Sequence, residues 1–124
     1  MAQDLAPTFI FRRTMTIIDI NTFNTLKEST DADFIRELIN TFLEDAPTQI
    51  QQMKSALDKK DAETFTRAAH TVKSNAATFG ANELANLARE LESMGRENNL
   101  NIGNQLEALE EAFHQVKNQL NELK

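Results

Sequence analysis

Apolar residues recur every three or four positions along most of the chain, which is the spacing of one face of an α-helix. The longest run consists of Ile35, Leu38, Ile39, Phe42, Leu43, Ala46, Ile50, Met53 and Leu57. Pro47 lies inside this run, but the apolar stripe keeps its phase, so we expect one kinked helix rather than two. No segment alternates in the manner of a β-strand. The pattern therefore predicts an all-α fold.

Polar residues and glycines between the apolar runs indicate where the helices begin and end. Aspartate, serine and asparagine cap helix N-termini, and glycine commonly follows a helix C-terminus. The expected starts are at Asp19, residues 29–31, Asp61, Asn82 and Asn101. The expected stops are at Gly80 and at Gly95 with the Asn98-Asn99 pair. These signals predict an antiparallel four-helix bundle (up-down-up-down) with a short extra N-terminal helix. We expect the bundle over residues 19–124 and an irregular N-terminal arm over residues 1–18.

The composition narrows the class of protein. The chain has 124 residues, enough for one domain, with 13 Lys+Arg against 19 Asp+Glu and a net charge of −6. This acidic balance argues against binding to nucleic acid or to an anionic membrane. No apolar run approaches the roughly 18 residues that a membrane span requires. The absence of cysteine excludes disulfides and zinc–thiolate sites. We expect a cytoplasmic monomer.

The sequence also lacks the common motifs of enzymes. It contains no glycine-rich phosphate-binding loop, no G-x-S-x-G and no H-E-x-x-H. Di-iron bundles need Glu-x-x-His motifs on two helices, whereas neither His70 nor His114 has a glutamate at that spacing. We therefore expect that the chain itself binds no metal and no cofactor.

His70 has an unusual place on the helix predicted over residues 62–78. The apolar stripe of that helix consists of Phe65, Ala69, Val72, Ala76 and Phe79. At about 100° per residue, these positions lie within roughly ±40° of one direction and His70 lies about 140° away from it, so His70 should face solvent. Its neighbours on the exposed face are Thr66, Arg67, Lys73, Ser74 and Ala77. An exposed imidazole with small and cationic neighbours is accessible to an anion, although most lone surface histidines have no role.

The segment around His70 resembles the signature of histidine-containing phosphotransfer (HPt) domains. The stretch A-H-T-V-K-S-N-A-A-T-F-G-A, residues 69–81, is similar to the family pattern A-H-x-[apolar]-K-G-[small]-[small]-x-x-[apolar]-G-A. The similarity covers about residues 19–123 and is most specific at His70, Lys73 and Gly80-Ala81. One departure is Ser74, where the family usually has the glycine that gives a partner close access. Serine is small enough that we expect this access to survive.

This resemblance implies a phosphocarrier in a multistep phosphorelay rather than an enzyme. His70 would accept a phosphoryl group from the aspartyl-phosphate of one receiver domain and pass it to the aspartate of another, with Mg²⁺ supplied by the receiver. Lys73 would screen the phosphoryl oxygens, with Arg67 a weaker second. Receivers would dock around the histidine, and the candidate flanking or docking residues are Thr66, Arg67, Ser74, Ala77, Glu92 and Arg96. Glu92 either holds the imidazole N–H or is a solvated surface carboxylate.

Two alternatives remain open from the sequence. In the first, the chain is a non-catalytic helical interaction module and His70 is an inert surface residue. In the second, it is the dimerisation domain of a sensor kinase, which is also helical and carries a histidine. That second family has an acidic residue directly after its histidine and a proline a few residues on, whereas this chain has Thr71 and then Ser74-Asn75.

Overall fold

The structure is a computed structural model that describes residues 17–124, and in that range the chain folds into five helices. They are α1 (Ile20–Glu28), α2 (Ala32–Lys59), α3 (Ala62–Thr78), α4 (Asn82–Arg96) and α5 (Gln105–Leu123). The four longer helices form a bundle in which α3 packs most extensively against α4 and α2, and α5 packs mainly against α4. This architecture confirms the prediction of an all-α bundle with a short additional helix.

Three aspartates cap helices as the sequence predicts. The carboxylates of Asp19, Asp31 and Asp61 accept hydrogen bonds from backbone N–H groups in the first turns of α1, α2 and α3. The long helix α2 continues through Pro47, which confirms one helix rather than two. At the end of α3, Gly80 adopts a φ of 80°, a left-handed conformation that favours glycine.

One apolar core joins the helices. All five residues of the predicted stripe are buried, four of them on α3 and Phe79 directly after its last residue. At one end of the core, the Phe42 ring lies 5.3 Å from the Phe79 ring and 5.8 Å from the Phe113 ring, measured between centroids. Close packing of this kind is the main source of stability in a helical bundle of this size.

The short helix α1 is held against the end of the bundle. The backbone N–H of Asp19 donates to the carbonyl of Gly80 over 2.8 Å. Ile18, which the predicted arm includes, is fully buried in the core. Residues 1–16 of that arm lie outside the described residues, so the arm stays a prediction. None of the described helices is both long enough and apolar enough to cross a membrane.

Two of the predicted helix starts are wrong by a few residues. Asn82 is the first residue of α4 rather than its cap, because Ala81 occupies the cap position and offers no side-chain acceptor. Helix α5 begins at Gln105 rather than at Asn101. Asn101 instead lies in the connecting loop, where its backbone N–H donates to Asn99 Oδ1 over 3.1 Å.

The helix predicted to end at Gly95 and the Asn98-Asn99 pair ends at Arg96, as expected, but Gly95 itself does not form the turn. Gly95 is buried inside α4, one residue before the last residue of the helix. A Cβ atom at this position would lie 3.1 Å from Phe65 Cδ2 and 3.3 Å from Thr66 Cβ. The glycine therefore serves the close approach of α4 to α3 rather than a turn.

Replacing Phe65 with alanine tests the assignment of the core. Phe65 is fully buried, so Phe65→Ala should lower the free energy of unfolding by about 3–5 kcal/mol. Phe34 is the matched control because its side chain is 48% exposed, and Phe34→Ala should cost less than about 1 kcal/mol. Urea unfolding followed by circular dichroism measures both, and equal losses would show that the core is assigned to the wrong face.

Candidate histidine site

His70 lies on the outer face of α3, opposite the buried stripe. Its side chain is 53% exposed, whereas its neighbour Ala69 is fully buried. The helical phase therefore turns the imidazole away from the core, as the sequence predicts.

Helix α4 runs antiparallel to α3 and brings Glu92 against the ring of His70. The distance between His70 Nδ1 and Glu92 Oε2 is 2.8 Å. The side chain of Glu92 is only 2% exposed, so the alternative of a solvated surface carboxylate is wrong. Among residues 17–124, Glu92 is the only charged residue that is buried.

Two cations compensate the buried charge of Glu92. Lys73 Nζ lies 2.7 Å from Glu92 Oε1, and Arg96 Nη2 lies 2.6 Å from Glu92 Oε2. Lys73 comes from α3 and Arg96 from the next turn of α4, so the carboxylate joins the two helices. A buried carboxylate without such partners would be strongly destabilising.

These contacts decide the protonation state of Glu92 and, through it, the tautomer of His70. Burial raises the pKa of the Glu92 carboxyl, but hydrogen bonds from Lys73 and His70 and the charges of Lys73 and Arg96 outweigh it, so the pKa is lowered. An ionised carboxylate only accepts hydrogen bonds. In the neutral ring, His70 Nδ1 therefore carries the proton, and Nε2 keeps its lone pair.

Four of the predicted site residues line an open cleft beside His70. The cleft has a volume of about 440 Å³, and its walls include Thr66, Arg67, Glu92 and Arg96. Arg67 Nη2 pairs with Glu63 Oε1 over 2.8 Å on the exposed surface. Thr66 donates its hydroxyl to the carbonyl of Ala62.

The other predicted residues take different places. Ser74 and Ala77 are exposed further along α3 and do not line the cleft. Lys73 is also outside the cleft, because its ammonium group turns toward Glu92.

Three residues of the cleft were missed by sequence reasoning. Gly95 was assigned to a helix end, and Ala62 and Glu63 were not assigned a role at the site, although all three line the cleft. The spacing of Glu63 and Arg67, four residues apart in one helix, was the available signal for their ion pair.

Within residues 17–124, no group of three or more histidine, aspartate or glutamate side chains is arranged to hold a metal ion. The site therefore consists of one exposed imidazole, one buried carboxylate and the cations around them.

Comparisons with known proteins show the family and the fold of the chain. A family model for the Hpt domain matches residues 37–124, which include His70 and the other site residues named above. The structure is similar to that of histidine-containing phosphotransfer protein B (HptB) from Pseudomonas aeruginosa PAO1, with a TM-score of 0.77 and 24% sequence identity. The similarity covers 86% of this chain and 92% of HptB. No curated protein matches the chain significantly.

The chain belongs to the Hpt domain family, as the sequence resemblance indicated. It is a phosphocarrier of a phosphorelay, and Hpt domains interact with receiver domains in such relays.

The lowered pKa of Glu92 predicts a pH-dependent effect of Glu92→Gln. A carboxyl with a lowered pKa in the folded state stabilises that state above its unfolded pKa of about 4.3, and this contribution is lost as the pH falls through the folded pKa. The difference in unfolding free energy between wild type and Glu92→Gln should therefore be largest near neutral pH and shrink toward zero in acid.

Urea unfolding between pH 7 and pH 2.5 measures this difference. Glu90→Gln is the matched control, because Glu90 is exposed on the same helix, and its effect should stay small at every pH. A wild-type advantage over Glu92→Gln that does not change between neutral and acid pH would contradict an ionised Glu92.

Proposed function

We propose that His70 is the residue that carries the phosphoryl group. It accepts the group from the aspartyl-phosphate of one receiver domain and delivers it to the aspartate of another. The observation that carries this proposal is the bond between His70 Nδ1 and the buried Glu92 carboxylate, since it leaves Nε2 as the free nucleophile on an exposed ring. Among the described residues, no hydrogen bond to Nε2 competes with that role.

The transfer to His70 needs no proton to move. The Nε2 lone pair attacks phosphorus in line, and the bond between phosphorus and the aspartyl oxygen breaks, with its electrons leaving on the receiver's carboxylate. The ring keeps its proton on Nδ1 and becomes a cation. Glu92 lies 2.8 Å from that nitrogen and stabilises the charge as it develops.

The onward transfer is the same step in reverse with a second receiver. Its aspartate attacks phosphorus, the N–P bond breaks, and its electrons return to Nε2, which leaves a neutral imidazole. Neutral imidazole is a good leaving group, so the cationic ring held by Glu92 favours delivery as well as acceptance. The receiver supplies Mg²⁺, and His70 is regenerated after each cycle without any ATP-dependent kinase activity of this chain.

The surroundings of His70 suit a protein partner. Thr66 lines the cleft beside the imidazole, and Ser74 and Ala77 are small exposed residues further along the same helix, so a receiver can approach the ring closely. Lys73 lies beside the ring on the same helix, and its ammonium group holds the Glu92 carboxylate that orients the imidazole. Receivers dock across α2 and α3.

The proposed carrier is a cytoplasmic monomer, and its net charge of −6 disfavours nucleic acid and membranes as partners.

A labelling experiment tests the proposal and separates it from the inert-module alternative. Incubation with a phosphorylated receiver and Mg²⁺ should place an acid-labile, alkali-stable label on the wild-type protein. His70→Gln should abolish the label, whereas His114→Gln, at the other exposed histidine, should leave it unchanged. A label that survives His70→Gln, or no label on the wild type from a panel of receivers, would refute the role of His70.

A further inference from the structure

A phosphoryl group on His70 would need cations in direct contact with its oxygens, and in the unphosphorylated protein the cations near the ring are paired with carboxylates. A phosphoryl group carries nearly two negative charges at neutral pH. It would enter a cleft that already holds the carboxylates of Glu63 and Glu92. Without cations in direct contact, this concentration of negative charge would oppose phosphorylation.

Lys73, the cation expected to screen the phosphoryl group, is poorly placed for direct contact. Its side chain is only 25% exposed, and its ammonium group lies 2.7 Å from Glu92 Oε1. It does not line the cleft beside the imidazole. Its position is that of a residue that holds Glu92.

Two guanidinium groups line the cleft together with His70. Arg96 donates to Glu92 Oε2, the same oxygen that His70 Nδ1 contacts, so the guanidinium group lies close to the ring. A guanidinium group has five N–H donors, so others remain for a second acceptor. Arg67 lies one turn before His70 on α3, and its side chain is 70% exposed. Its surface pair with Glu63 is of a kind that contributes little stability, so Arg67 can exchange partners readily.

We propose that Arg67 and Arg96 clamp the phosphoryl group of phosphorylated His70 from the two helices, and that Lys73 acts through Glu92. This inference rests on the proposed function of His70. On phosphorylation, Arg67 leaves Glu63 for the phosphoryl oxygens, and Arg96 donates to them while it keeps its bond to Glu92. Guanidinium groups suit this task because they offer paired donors that match phosphoryl oxygens. Gly95 permits the close approach of α4 to α3 beside the cleft that both arginines line.

The test measures how strongly each cation is coupled to the phosphoryl group. The purified protein is phosphorylated with phosphoramidate, a small donor that needs no receiver, and its urea unfolding midpoint is compared with that of the unphosphorylated form at pH 8. The quantity of interest is the change in midpoint on phosphorylation. Because each variant is compared with itself, any direct loss of stability, such as the loss of the Arg96–Glu92 bond, cancels.

The clamp predicts an order among four variants. Arg67→Gln and Arg96→Gln should each lower the phosphorylation-linked change in midpoint by about 0.5 M urea relative to wild type. Lys73→Gln should lower it by less than either. Arg89→Gln, at an exposed arginine of α4 outside the cleft, is the matched control and should have no effect. Any other order, including a Lys73→Gln effect equal to those of the arginine variants, overturns the proposal.

The clamp and the carrier role fail in different ways. If phosphoramidate labels His70 but the arginine variants do not lower the phosphorylation-linked change in midpoint, the clamp is wrong, regardless of whether receivers label His70. If the coupling is present but no receiver labels His70, the carrier assignment is wrong and the clamp stands. A wild-type protein that phosphoramidate cannot label at His70 contradicts both, because each requires an accessible Nε2 nucleophile.

Discussion

The bond between the buried Glu92 carboxylate and His70 Nδ1 is the interaction on which the rest of the site depends. It fixes the ring, keeps the proton on the inner nitrogen and leaves the outer nitrogen for chemistry. A carboxylate this deeply buried is tolerated because Lys73 and Arg96 approach its two oxygens over 2.7 and 2.6 Å. The packing of α4 against α3 places Glu92 next to His70, so one side chain both joins the two helices and orients the reactive ring.

The family's chemistry follows from this arrangement with few additional parts. Phosphoryl transfer depends on position and charge more than on acid–base groups, and a carrier that borrows Mg²⁺ from its partner needs only a nucleophile, a means of orienting it and compensating cations. The cleft beside His70 adds room for a phosphoryl group between Arg67 and Arg96. The same features that make the ring accessible to one receiver make its phosphoryl group accessible to the next.

Sequence reasoning predicted most of the fold because helical periodicity and caps are local signals. The bounds of α3 and the orientation of His70 follow directly from the apolar stripe. The burial of Glu92 could not be predicted, because it depends on how α4 is rotated against α3 and on which cations reach it. Gly95 was misread for the same reason, since a glycine that permits close packing and one that ends a helix look alike in a single sequence. Likewise, Lys73 and Arg67 both lie next to His70 in the helix, and only the packing shows that one turns to Glu92 and the other stays exposed.

Nitrogen-15 NMR of the histidine side chains tests the central claim most directly. In the neutral ring of unphosphorylated His70, the account predicts a protonated Nδ1 and an unprotonated Nε2, while exposed His114 serves as an internal reference. Glu92→Gln should remove this preference for the Nδ1–H form. A neutral His70 ring that carries its proton mainly on Nε2 in the wild-type protein would contradict the account.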